Sequence, residues 1–163
     1  MEQKSNLTEE RVSNGMGLDI EILDISALEM GQWMPLWKGY QTFYGANIAE
    51  EVSQRTWDKL SSPDVSHMYG FAAVIDHKVV GIVHVIEHDS CWTMQPYAYL
   101  QDLFTLKEYR GKGIARKLIQ HVYDTAKARE CDRVYWLTHE SNITAQQLYD
   151  RIAKKTGFIQ YRM

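Results

Sequence analysis

The chain has little cysteine, little proline and no excess of positive charge. Its two cysteines, Cys91 and Cys131, form no short-spaced pair and belong to no His/Cys cluster. A disulfide-stapled scaffold and a structural zinc site are therefore excluded as expectations, and no metal is expected. Lys and Arg number 18 against 21 Asp and Glu, a formal net charge of -3. A general nucleic-acid binder would carry a basic excess, so nucleic acid is not an expected partner. No apolar run is long enough to span a bilayer. The polar segment Met1 to Asn14 lacks the apolar centre of a signal peptide. The expectation is a cytoplasmic protein with no membrane partner.

What is present suits a globular domain. The 163 residues are 45% hydrophobic and 24% charged, enough for one domain with a buried core. Residues 1–17 are expected to be a flexible leader closed by Gly15 and Gly17, and residues 18–163 the domain. Leu18 to Ile22 alternates with period two and reads as a strand. Helical patterns follow at Ala27–Tyr44, with Pro35 placed to kink or divide it, and at Ala49–Leu60. Met68–Ile75 and Val79–Glu87 read as strands joined at Asp76-His77-Lys78 as a hairpin. A strand at Tyr97–Leu106 leads into a glycine-rich turn and a helix to about Arg129. A strand at Arg133–Thr138, a helix at Ile143–Lys155 and a last strand at Phe158–Arg162 complete the order β-α-α-β-β-β-α-β-α-β. That is a mixed α/β layered domain.

The most informative stretch is Arg110-Gly111-Lys112-Gly113-Ile114-Ala115. It lies between an apolar strand and an amphipathic helix with Ile114, Leu118, Ile119, Val122 and Ala126 near one face. Strand, glycine turn and helix start together suit a pyrophosphate. The glycines let the backbone approach, and unpaired N–H groups point at the anion. No Gly-Lys-Ser/Thr ends the turn, so it is not a Walker loop. The third glycine and the early βαβ unit of the dinucleotide fingerprint are also missing. A short basic loop for nucleic acid, using Arg110, Lys112, Arg116 and Lys117, and an ordinary solvated turn are the other readings.

The spacing Arg-x-x-Gly-x-Ala after such a strand resembles the acetyl-CoA motif of the GCN5-related N-acetyltransferase (GNAT) superfamily. The likeness continues at Asn142-Ile143-Thr144-Ala145-Gln146-Gln147-Leu148-Tyr149, which is similar to the family's Asn-x-x-Ala-x-x-x-Tyr, and at Gly157-Phe158. The segments Tyr99–Phe104 and Trp136–Asn142 look most like the histone- and polyamine-acetylating subgroup. The resemblance covers Tyr97 onward firmly and the first half mainly in its order of elements. It implies an α/β fold with a mixed, mostly antiparallel sheet flanked by helices. It further implies acetyl-CoA as cofactor, and direct transfer of acetyl to a primary amine in a ternary complex. The acceptor would be a polyamine, a lysine side chain in a peptide, or another small amine. The family adds one more C-terminal strand than this order contains, so a homodimer partner covering the edge is expected.

By the same resemblance, Gly111 to Arg116 hold the pyrophosphate, with Arg110 at their head. Leu103, Phe104 and Thr105 offer backbone to the pantetheine arm, and an N–H there polarises the thioester oxygen. Tyr149 corresponds to a tyrosine near the cofactor sulfur that protonates the leaving thiolate. It also fits an apolar helix face with Ala145, Leu148 and Ile152. Asn142 corresponds to a cofactor contact and equally occupies an N-cap position. The family's polyamine-type glutamate falls at Gln101, an amide that cannot act as base. Strand alternation turns Asp102 to the opposite side. Asp102, His139, Glu140 and a water chain remain open as the base. Trp33, Trp37, Tyr40 and Tyr44 recur along one helical stripe, which is either core or an aromatic acceptor wall suited to an ammonium group. Glu50, Glu51 and Asp58 would add attraction there. A catalytically weak acyl-CoA sensor or interaction module is the alternative to an enzyme, kept open by Gln101.

Overall fold

A computed structural model describes residues 17–163, so the expected leader lies outside the described residues except for Gly17. Five strands form one sheet in sequential order: β1 (Glu21–Asp24), β2 (Met68–Ile75), β3 (Lys78–His88), β4 (Tyr97–Thr105) and β5 (Arg133–Tyr135). The first four pair antiparallel. β5 joins β4 in parallel, because the helix between them carries the chain back across the sheet. Helices α1 (Met30–Phe43) and α2 (Glu50–Ser61) cover one face, and α3 (Ile114–Ala128) covers the other. α4 (Ile143–Ile152) follows β5 and sets Leu148, Tyr149 and Ile152 against the core on the α3 side. No helix among the described residues is long and apolar enough to cross a membrane.

The sequence pattern explains most of these elements. The face expected of α3 is the one it buries: Ile114, Leu118, Ile119, Val122 and Ala126. The β2–β3 hairpin turns on Asp76 and His77, both at positive φ, as a tight two-residue turn requires. α1 stays one helix across Pro35. Both Pro35 and Gly31, whose carbonyl loses its partner to the proline, are exposed, so water can take up that carbonyl. On the far side of the sheet Ile25, Trp33, Leu36, Trp37, Leu60 and Ile82 form a second apolar cluster.

Two expectations fail at the C-terminal side. The strand foreseen at Arg133–Thr138 stops at Tyr135. The strand foreseen at Phe158–Arg162 does not form, and residues 153–163 carry neither helix nor strand. The causes are related. β4 and β5 pair only through Tyr97↔Arg133, Ala98↔Val134 and Tyr99↔Tyr135, then part. A backbone without a neighbour's N–H and C=O groups has nothing to make it a strand, whatever its alternation.

β4 also departs from regular alternation. Val85 pairs with Leu100 and His84 with Asp102, so Gln101 is an extra residue, a β-bulge. Before the bulge, Ala98 and Leu100 point into the α3-side core. After it, Phe104 points into the α1-side core although its parity is the same. The bulge therefore transfers Asp102 to the α1 side, the reverse of what unbroken alternation predicts.

Candidate active site

The parting of β4 from β5 opens a cavity of about 340 Å³. Leu100 to Leu103 form one wall and Trp136 to His139 the other. The stacked rings of Tyr99 and Tyr135, 5.0 Å apart and nearly parallel, mark the last pair before the gap. Tyr40 and Tyr44 enter from α1, Tyr149 from α4, and Gln160 and Arg162 from the C-terminal segment.

Asp102 lies at the wall nearest α1. Its side chain is 13% exposed, and Oδ2 sits 2.9 Å from His84 Nδ1. On the other side of that ring, the Trp33 indole N–H donates to His84 Nε2 at 3.0 Å. An indole can only donate, so Nε2 accepts and the ring proton resides on Nδ1, aimed at Asp102. Burial, with the nearby Asp102 carboxylate adding to it, drives the Tyr40 hydroxyl far above the ordinary phenol value. Tyr44 and Tyr99 are raised in the same sense, burial first and Asp102 contributing. A ring of protonated phenols thus faces one carboxylate. Burial also pushes Tyr149 up to about 12, and its ring meets the Trp136 edge at 5.4 Å.

The aromatic stripe divides. Tyr40 and Tyr44 line the cavity. Trp33 is wholly buried and Trp37 nearly so, with its indole N–H donating to Ser53 Oγ at 3.0 Å. Neither tryptophan belongs to an acceptor wall, because both are spent on the core between α1, α2 and the sheet. Glu50, Glu51 and Asp58 are exposed on α2 and do not line the cavity. Of the other candidate bases, His139 lines it, with Nδ1 2.6 Å from Ser141 Oγ, and Glu140 does not. Asn142 stands at the N-cap of α4, yet its side chain caps no N–H and instead faces the Tyr44 phenol.

The glycine turn sits where β4 ends. Gly111 and Gly113 have φ of 74° and 81°, a region that residues with a Cβ rarely enter. Lys117 N–H is bonded to Gly113 O at 3.0 Å, the first intrahelical bond of α3. The N–H groups of Gly113, Ile114, Ala115 and Arg116 therefore have no acceptor within the helix. Such a start suits a pyrophosphate. The Arg110 side chain does not reach outward. Its Nε donates to Thr105 O at 3.0 Å and its guanidinium lies over Phe43 and Phe104. Lys117 Nζ is likewise turned inward, to Ile20 O. Two of the four cations in the nucleic-acid reading are thus engaged by the protein itself. Arg116 faces a second cavity, of about 250 Å³, which shares Trp136 with the first.

Sequence reasoning missed His84 and Arg162. His84 had a visible signal, a single imidazole inside the apolar run Gly81-Ile82-Val83-His84-Val85-Ile86. Arg162 had none, since its segment read as an edge strand.

Comparison with known proteins points one way. The model of the "Acetyltransferase (GNAT) family" matches residues 32–153. The D-amino-acid N-acetyltransferase HPA3 of Saccharomyces cerevisiae is 34% identical over 133 residues, 80% of this chain and 81% of that protein. The thialysine N-epsilon-acetyltransferase of Caenorhabditis elegans is 28% identical over 101 residues, 59% of this chain and 62% of its own length. Among solved structures, the aminoglycoside N-acetyltransferase AAC(6')-Iy in complex with CoA superposes with a TM-score of 0.78 at 17% identity. That match covers 93% of this chain and 98% of that one. At that identity the match speaks for the fold.

Gly113→Val tests the loop. A β-branched residue at this φ costs about 1–2 kcal/mol, so acetyl-CoA affinity measured by calorimetry falls about tenfold. Unchanged affinity would remove the loop from the binding site.

Proposed function

Since the chain belongs to the acetyltransferase (GNAT) family and takes acetyl-CoA as its acyl donor, we propose that it acetylates the primary amine of a small acceptor by direct transfer in a ternary complex. The protein is an acyltransferase. The observation that carries the finer reading is a carboxylate, Asp102, and a phenol, Tyr149, lining one cavity between parted strands.

Acetyl-CoA supplies an activated thioester. The N–H groups from Gly113 to Arg116 would hold its pyrophosphate, and the backbone of Leu103, Phe104 and Thr105 would offer hydrogen bonds to the pantetheine arm. The Asp102 carboxylate receives the acceptor ammonium and takes one proton from it. The freed amine forms the C–N bond to the acetyl carbon, the C–S bond breaks, the sulfur leaves with the electron pair, and the second proton of the nitrogen passes to the departing thiolate or to solvent. Tyr149 meets that developing charge. A phenol raised to about 12 keeps its proton throughout the neutral range. It therefore stabilises the thiolate chiefly as a hydrogen-bond donor and is a reluctant acid.

Arg162 borders the same cavity as Asp102. A cation and a carboxylate on one cavity suit an acceptor bearing both ammonium and carboxylate. The D-amino-acid N-acetyltransferase among its relatives favours that class too. Amino acids therefore head the order of preference, ahead of polyamines, aminoglycosides and lysine peptides. We place the enzyme in the cytoplasm, with residues 18–163 as one catalytic domain acting as a homodimer. The dimer is supported by Phe158, Ile159 and Tyr161, which stand 89%, 75% and 88% exposed. A monomeric mass by light scattering at working concentration would remove the dimer.

The deciding experiment is thiol release from acetyl-CoA against D- and L-amino acids, thialysine, spermidine, an aminoglycoside and a lysine peptide. Release stimulated by an amino acid is the expected result. Acetyl-CoA binding without stimulation by any amine would overturn the reading. With the preferred acceptor, Asp102→Asn lowers kcat/KM at least about a hundredfold. Tyr149→Phe lowers kcat by a constant factor from pH 6 to about 10 without changing the profile's shape. The sign follows from the raised value: the hydroxyl is protonated across that whole span, so its titration cannot produce an alkaline limb below about pH 11.

A further inference from the structure

Behind the cavity, α1 and β3 carry a hydrogen-bonded chain that is buried at two of its three members. His84 and Trp33 are almost completely enclosed, and Asp102 alone reaches the cavity. We propose that Trp33 and His84 are positioning residues that set the orientation of Asp102, and thereby the enzyme's hold on a cationic acceptor. This inference rests on the reading of the cavity as the acceptor site.

The argument follows from donor and acceptor counting. The Trp33 indole donates to His84 Nε2, and that lone pair is occupied. His84 then has one proton, on Nδ1, and gives it to Asp102 Oδ2. One carboxylate oxygen is fixed, and Oδ1 is left free of the chain. A proton taken from the acceptor ammonium cannot pass through the ring to Nε2, because an N–H already points there. It stays on Asp102 and leaves by way of the cavity. The indole thus fixes the tautomer that aims Nδ1–H at the carboxylate.

Among the described residues, the surroundings contain nothing else to perform that task. The groups facing Asp102 are Tyr40 and Tyr44 from α1 and Tyr99 from β4, all neutral donors in the working range. His139 and Arg162 stand on the cavity's other walls. On β2, the residue paired with His84 is Gly70, whose missing side chain leaves room for the imidazole: a Cβ there would come within 3.3 Å of His84 Cδ2 and 2.4 Å of Val83 O. Trp37 packs its ring 5.3 Å from the imidazole without a hydrogen bond to it.

Removing the indole donor leaves Nε2 without its partner, so the imidazole is free to turn or to take the other tautomer and no longer aims an N–H at Asp102 Oδ2. The test is the steady-state kinetics of Trp33→Phe with the preferred amine. KM for the acceptor rises about tenfold while KM for acetyl-CoA does not change. His84→Ala lowers kcat/KM about a hundredfold through misplacement of Asp102. His84→Gln, whose amide can accept from Trp33 and donate to Asp102, recovers most of the loss. Calorimetric binding of acetyl-CoA reports that each variant is folded. If Trp33→Phe does not fold, the contrast between the Ala and Gln variants of His84 decides. Wild-type activity in His84→Ala, an Ala and Gln pair equally impaired, or a wild-type acceptor KM in Trp33→Phe would overturn the chain's role. Wild-type protein inert towards every amine would instead overturn the acceptor site itself.

Discussion

The site depends on one irregularity of the sheet, the extra residue at Gln101. β4 is held on one side by β3 along most of its length, and that ladder dictates which side chains face which layer. Insertion of one residue reverses the assignment from Asp102 onward. Without it, Asp102 would point into the apolar layer of Val83, Val85 and Leu118, where a carboxylate finds no partner. With it, Asp102 meets His84 at 2.9 Å and the α1 tyrosines. On its other side, β4 loses β5 after Tyr99. The same few residues are thus where one neighbour is displaced and the other leaves, and a cavity results.

Electrostatics in that cavity follow from what was buried with the carboxylate. Three phenols surround it, each raised first by burial. Neutral donors stabilise an anion without neutralising it, so the carboxylate remains able to receive a cation. Trp33 and His84 extend the hydrogen bonding into the core, where buried polar atoms need partners and both ring nitrogens of His84 have one. Trp33 and Trp37 of α1 therefore lie beneath the cavity while Tyr40 and Tyr44 of the same helix line it.

The glycine turn, the proposed donor-binding half, obeys simpler rules. A strand ends, two glycines at positive φ reverse the chain, and a helix begins with its first N–H groups free. Arg110 adds a clamp, pinned to Thr105 O and covering Phe43 and Phe104, so the loop is tied to both the sheet and α1. Its charge serves to hold the loop in place more than to attract an anion.

Local pattern sufficed for the family, for the α3 face, for the hairpin at Asp76 and His77, and for the glycine turn. Each is encoded by residues near one another in the chain, through helical period, turn chemistry or φ preference. The side to which Asp102 points was not legible, because a bulge has no local signature and alternation argued against it. The fate of Trp33 and Trp37 was equally hidden: a helical stripe looks the same whether sheet or water lies opposite. The C-terminal alternation at Phe158–Arg162 misled for the same reason, since a strand exists only where another strand offers its backbone. The sequence alone determined the family and the donor loop through short-range stereochemistry. Only the tertiary structure decided which side chains share the cavity between β4 and β5, because that depends on register, burial and partners distant in the chain, such as Trp33 and His84.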